Sequence, residues 1–164
     1  MQSLFTFTTD PGPCEYLPDR DCALNYEVVG ELSPSEYETR LKDGWRRFGY
    51  SLFRPVCPGC RMCQSIRVRV AAFRPDRSQR RTWAANEGRV ELAIGEPKAT
   101  RDKLDLYDRF HLFQHGHKGW PVHGPTTASD YIESFVDHPF PTEEWCYFRD
   151  GRLIGVGYVD ALPA

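Results

Sequence analysis

Two periods of hydrophobic spacing run along this chain, and the switches between them mark its elements. Residues 1–22 are punctuated by Pro11, Gly12, Pro13 and Pro18 and predict an irregular, turn-rich start. A short strand follows over Ala23–Val29. Ser33-Pro34-Ser35-Glu36 is a helix start: Ser33 caps, Pro34 takes the first helical position and Glu36 closes a capping box. Tyr37, Leu41 and Trp45 recur every four residues as one apolar stripe, and Gly44 marks an end. Phe48–Phe53 predicts a strand that leads into a cysteine loop. Ile66-Arg67-Val68-Arg69-Val70 alternates strictly, which predicts another strand, with aliphatic residues on a core face and Arg67 and Arg69 on the other.

Arg74-Pro75 breaks that run, and Ser78-Gln79-Arg80-Arg81 opens a polar helical turn. Val90–Ile94 alternates as a strand. Thr100–Gly116 reads as a helix with Leu106, Phe110 and Phe113 on one face and Tyr107 beside them. A second helix starts near Thr127, with Asp130 at its third position, and is stopped by His138-Pro139-Phe140-Pro141. Glu144–Arg149 and Leu153–Val159 form a hairpin about Asp150-Gly151, a strong short-range turn signal. So apolar a hairpin is marginal alone and calls for further strands, so the sequence is expected to be a fragment.

Composition adds a compartment. The chain has 164 residues, 40% hydrophobic, enough to build a packed core. No apolar run approaches the ~18 residues of a membrane span. The N-terminus lacks a basic, then apolar, leader, so no signal peptide is expected and the cytoplasm is the expected location. Thiols stay reduced there, which turns clustered cysteines towards metal binding or chemistry.

Charge changes the picture more. Between Arg54 and Arg81 lie eight arginines, one acid, Asp76, and no lysine, in a chain whose net charge is -2. A basic block in an otherwise acidic chain points to an anionic partner. Guanidinium forks pair with phosphates, so Arg67, Arg69, Arg77, Arg80 and Arg81 are candidates for nucleic-acid backbone contact or for holding a substrate carboxylate. The same block holds Cys57, Cys60 and Cys63 at C-x2-C-x2-C spacing, which can turn thiolates back onto one ion. Cys14, in a Pro/Gly-rich loop, is the chosen fourth ligand and Cys22 the reserve; zinc and an iron–sulfur centre are both open. Small buried hydrophobes in a tight loop are the bland alternative. Cys146 lies in an apolar strand and reads as core. Among the histidines, His115 and His117 share no helical face with each other, His111 stands on the same helix, and His123 and His138 stand in loops. No P-loop, G-x-S-x-G or H-E-x-x-H occurs.

Three stretches carry a resemblance. Cys14-Glu15-Tyr16-Leu17-Pro18, Arg54-Pro55-Val56-Cys57-Pro58-Gly59-Cys60-Arg61-Met62-Cys63 and Phe73-Arg74-Pro75-Asp76-Arg77-Ser78-Gln79-Arg80-Arg81 closely resemble the bacterial aspartate/glutamate leucyltransferases of the arginyl-tRNA–protein transferase family. The run Asp150–Asp160 is similar to that family too. Leu17 stands where eukaryotic relatives carry a second cysteine, and three spaced cysteines replace an adjacent pair.

The resemblance implies an α+β protein: a Cys-bearing N-terminal α/β domain, residues 1–82, holding the cysteine loop and basic block, followed from 83 to 164 by the first part of a GNAT-like (acetyltransferase-like) domain. It implies transfer of leucine from leucyl-tRNA to the N-terminal amine of proteins beginning with Asp or Glu, an N-degron signal. The expected contacts to tRNA or to the acidic acceptor are Arg67, Arg69, Arg77, Gln79, Arg80 and Arg81. The transfer itself demands no cofactor, while Cys14, Cys57, Cys60 and Cys63 are the expected ligands of a zinc or iron–sulfur centre. No residue is assigned as general base. Two competing readings are a zinc-knuckle module that binds nucleic acid without catalysis and an acyl-CoA N-acetyltransferase. The first expects aromatics among the arginines for base stacking, and the block offers only Phe73.

Overall fold

The computed structural model describes residues 1–122 and 124–163. The chain divides into two compact units: Met1–Ile66 with Asp137–Pro141 and the segment from Leu162, and Arg67–Val136 with Thr142–Ala161. The anticipated 82/83 boundary falls inside the second of these.

In the first unit, β1 (Gln2–Thr8), β4 (Leu24–Glu31), β6 (Ser51–Pro55) and β5 (Arg46–Phe48) form an antiparallel sheet in the order β1-β4-β6-β5. Two-residue strands β2 (Gly12–Pro13) and β3 (Asp21–Cys22) pair separately. The strand β1 was not anticipated, because the prolines after it dominate the local pattern. It is held by an aromatic row across the sheet: Phe7 stacks on Tyr26 at 4.9 Å and Tyr26 meets Phe53 at 5.6 Å. Phe48–Phe53 is a hairpin rather than one strand, since Gly49 adopts φ 51° and reverses the chain between β5 and β6.

Helix α1 (Pro34–Lys42) begins as its sequence dictates: the Glu36 N–H donates to Ser33 Oγ, and the Ser33 N–H donates to Glu36 at 2.8 Å. Its end is a Schellman turn. Gly44 at φ 82° donates its N–H to the Leu41 carbonyl, and the Trp45 N–H reaches back to Arg40. Trp45 is therefore delivered to the core by the reversal, not by the helix, which corrects the four-residue stripe. Tyr37, Val29, Leu52, Trp45 and Phe140 form the core, with the Tyr37 and Phe140 rings 4.7 Å apart. The buried Glu27 carboxylate is paired by Arg40 at 2.9 Å, and that guanidinium lies over the Trp45 ring at 5.3 Å.

The expected strand over Ile66–Val70 does not form. No described strand pairs with this segment, a 3-10 turn occupies Val70–Ala72, and Ile66, Val68 and Val70 are 90%, 62% and 85% exposed. Alternation describes a half-buried strand only where a ladder partner exists. The preceding strand β6 already has β4 and β5 on its two sides.

In the second unit, α2 (Arg77–Asn86) is exposed along its whole length. Strands β7 (Glu91–Gly95), β8 (Thr142–Arg149) and β9 (Arg152–Asp160) make an antiparallel sheet in that order. Asp150 and Gly151 both have positive φ, 50° and 71°, the type I′ geometry that matches strand twist. Helix α3 (Arg101–Lys118) packs along β9, and α4 (Ala128–Phe135) starts with the Thr127–Asp130 capping box. Asp108 on α3 accepts the Thr126 N–H at 3.1 Å and its hydroxyl at 2.6 Å, fixing the start of α4.

Candidate functional site

The cysteines follow their local turns. The β2–β3 ladder sets Gly12 opposite Cys22, and the Cys14 N–H donates to Arg20 at 2.9 Å, so one small loop carries both thiols. The Ala23 carbonyl, next to Cys22, accepts the Val56 N–H at 2.8 Å and the Cys57 thiol at 3.8 Å. Lost hydration, then the charges of Cys14, Cys57 and Glu15, push the Cys22 thiol up. Gly59 at φ 63° closes the next turn, where the Cys60 N–H donates to the Cys57 carbonyl at 3.3 Å. Cys63 is exposed beyond it. The fold thus brings Cys22, the reserve ligand, towards Cys14 and Cys57. Among the described residues no three His, Cys, Asp or Glu are grouped to hold a metal ion.

The basic candidates lie in the second unit. Arg67 and Arg69 are exposed in the irregular segment before α2. Arg77, Arg80 and Arg81 follow the Asp76 cap at positions that share one helical face. Gln79 serves the helix start. Its side chain accepts the Asp76 N–H at 2.8 Å, and its own N–H donates to Asp76 Oδ1 at 2.8 Å. The Arg80 side chain bonds the Pro75 carbonyl, whereas the side chains of Arg77 and Arg81 make no ion pair or hydrogen bond among the described residues. Trp83, 73% exposed, stands one turn beyond Arg80, an aromatic just outside the Arg54–Arg81 block. His123 lies outside the described residues.

Sequence reasoning missed a buried polar cluster in the second unit. Lys103 on α3 and Glu144 on β8 are 7% and 4% exposed, and their charged groups form an ion pair. The ammonium also donates to the Lys98 carbonyl at 2.9 Å. Glu144 Oε2 accepts the Lys98 N–H at 3.3 Å and the Tyr158 hydroxyl at 3.3 Å. The Tyr158 and Tyr131 hydroxyls are 2.6 Å apart. The Cys146 thiol donates to Glu144 Oε1 at 3.5 Å. Burial pushes up the Tyr131, Tyr158 and Cys146 groups, and the Glu144 charge adds to it in each. One signal was available: Glu144 shares the inward side of β8 with Cys146, and a carboxylate on a buried strand face needs a partner.

Known proteins supply the context for this geometry. A family described as "Arginine-tRNA-protein transferase, N terminus" matches residues 12–81. That span holds five of the cysteines and all eight arginines of the basic block. The chain is 35% identical over 160 residues to an aspartate/glutamate leucyltransferase of Helicobacter hepaticus, covering 97% of this chain and 66% of the relative. Relatives of the same name from Nitrosococcus oceani and Halorhodospira halophila are 33% and 34% identical, covering 95% and 92% of this chain and 65% and 63% of their own lengths.

The chain belongs to the arginine-tRNA-protein transferase family.

It spans just under two thirds of the length of the curated relatives it matches. The family's N-terminal match ends at Arg81, so the Lys103–Glu144 cluster lies in the part aligned only to the curated relatives.

Removing one member of that pair strands the other. Lys103→Met is expected to destabilise the second unit by about 3–5 kcal/mol, because an uncompensated carboxylate stays buried. Adding Glu144→Leu is expected to recover most of that loss. Urea unfolding followed at several probes measures both, and a double variant as unstable as the single one would contradict the assignment.

Proposed function

We propose that the protein transfers leucine from leucyl-tRNA to the N-terminal amine of proteins that begin with Asp or Glu. The match over 92–97% of this chain to relatives named for that reaction carries the reading. The chemistry is modest. A leucyl ester is already a reactive acyl donor, and an N-terminal amine has a reference pKa of about 8, so part of it is neutral near pH 7. The amine attacks the ester carbonyl, a C–N bond forms, the ribose C–O bond breaks, and the proton lost by the amine ends on the ribose oxygen. The protein's share is to hold donor and acceptor in line and to stabilise the oxyanion. On this reading the part of the second unit from about residue 83, with the β7-β8-β9 sheet and its helices, is the beginning of a GNAT-like domain. The cytoplasm suits six free thiols and a donor that is a tRNA, and no described helix is long and apolar enough to cross a membrane.

Mass spectrometry tests the reaction with leucyl-tRNA and peptides beginning with Asp, Glu or Ala. Leucine is expected on the first two and far less on the third, because an Ala acceptor offers the arginines no carboxylate to pair with. Equal labelling of Asp and Ala peptides would remove the arginine argument, and no labelling by the full-length protein would remove the function.

The tRNA reading of the basic block rests on the exposed face of Arg77, Arg80 and Arg81, with Arg67 and Arg69 before it and Trp83 offering a ring for a base. Arg77→Ala and Arg81→Ala are expected each to weaken tRNA binding and to reduce the salt slope by roughly 0.7–0.9. Unchanged affinity and slope in both variants would assign the block elsewhere.

A zinc or iron–sulfur centre at the cysteine loop is proposed on ligand spacing, with Cys14, Cys57, Cys60 and Cys63 as ligands and Cys22 as the reserve for Cys14. No step of the transfer runs through it. Stoichiometric metal in anaerobically purified protein, lost on Cys57→Ser or Cys60→Ser, is the expected result. Metal-free, well-folded protein would overturn it, and loss on Cys22→Ser but not Cys14→Ser would exchange those two ligands.

A further inference from the structure

We infer that the second unit binds an aliphatic primary ammonium in the cavity between α3, α4 and β9, with the Tyr131 oxygen as its acceptor. The argument begins at Glu144. Its Oε1 faces the Lys103 ammonium and the Cys146 thiol, and its Oε2 accepts the Lys98 N–H and the Tyr158 hydroxyl. A phenol has one proton. The Tyr158 proton is committed to Glu144, so the 2.6 Å bond between the phenols is donated by Tyr131 to Tyr158. Each bond in this chain polarises the next towards the buried carboxylate. Its far end is the Tyr131 oxygen, whose proton is committed and which accepts no hydrogen bond from the described residues. Tyr131 is only 3% exposed, so an acceptor is left at the wall of a cavity.

That cavity, of about 410 Å³, selects among donors. Aromatic rings of Tyr107, Phe110 and Phe135 line it, and ring faces attract an organic cation. Leu106, Ile154 and Val156 supply aliphatic wall. The Lys103 charge is answered by Glu144 and by the Lys98 carbonyl, so it does not oppose a second cation strongly. A carboxylate or phosphate would set acceptor against acceptor at Tyr131. An alcohol would satisfy the phenol oxygen but not the rings. A primary ammonium on a branched aliphatic body satisfies both. The leucyl group of an aminoacyl ester has that form, so the natural ligand, though not the site's chemistry, rests on the leucyl-transfer reading above.

L-Leucinamide is the probe, titrated into the protein by calorimetry or ligand-observed NMR beside 4-methylpentanamide, which keeps the skeleton and lacks the amine. Leucinamide is expected to bind at least about tenfold more tightly, the difference one charge-assisted hydrogen bond makes. Tyr131→Phe should bring the two amides level, and Val156→Phe, which fills the cavity, should abolish both. Circular dichroism checks that each variant folds; if Tyr131→Phe does not, the comparison of amides together with Val156→Phe decides. Equal binding of the two amides, or leucinamide binding untouched by the folded variants, would overturn the site. Transfer assays separate the two readings. Leucinamide bound by a full-length protein that transfers no leucine keeps the cavity and removes the transferase, while undiminished transfer in both variants removes leucyl as the cavity's natural ligand and keeps the transferase.

Discussion

A carboxylate buried on a strand face is the constraint that the second unit is built to meet. Taking Glu144 out of water costs several kcal/mol, and the structure offsets it with one ammonium, one backbone N–H, one phenol and one thiol. Those donors come from α3, the loop before it, β9 and β8 itself. Satisfying one side chain therefore fixes how a helix lies along a sheet. An apolar residue of similar volume would pack there at less cost, and would leave Tyr158 and Tyr131 without a direction for their protons. Retaining the charge makes the phenol pair an oriented dipole, which a hydrophobic core does not provide.

The first unit solves a smaller version of the same problem. Glu27 is buried beside Arg40, whose guanidinium also covers Trp45. That ring reaches its place because Gly44 reverses the chain directly after α1. A single left-handed residue thus links the helix end, the aromatic core and a buried ion pair. The cysteine loops hang from the β4 side of this unit through the Ala23 carbonyl, so the strand that builds the sheet also positions Cys57.

Features governed by neighbours in sequence were legible beforehand. The Ser33–Glu36 and Thr127–Asp130 boxes and the Asp150-Gly151 turn need only residues three or fewer positions apart, and each forms as its chemistry requires. Features that depend on a distant partner were not. Ile66–Val70 has the period of a strand and no strand to pair with. The segment Gln2–Thr8 shows the reverse: its local pattern reads as irregular, and β4 beside it makes it a strand. Lys103 and Glu144 are 41 positions apart, and nothing local to either announces the other. The candidate site divides the same way. The arginines and the cysteine spacing could be read directly, whereas the polarised tyrosines could not, because their meaning lies in which oxygen gives up its proton.

The core around Tyr37 has a consequence for the order of events on the ribosome. Val29, Leu52 and Trp45 are made early, but Phe140, whose ring meets Tyr37, belongs to a segment that rejoins this unit at Asp137 after the chain has left at Ile66. At roughly 5–20 residues per second, several seconds of synthesis separate the sheet from the aromatic that completes its core. Throughout that interval the nascent first unit lacks the ring that covers Tyr37.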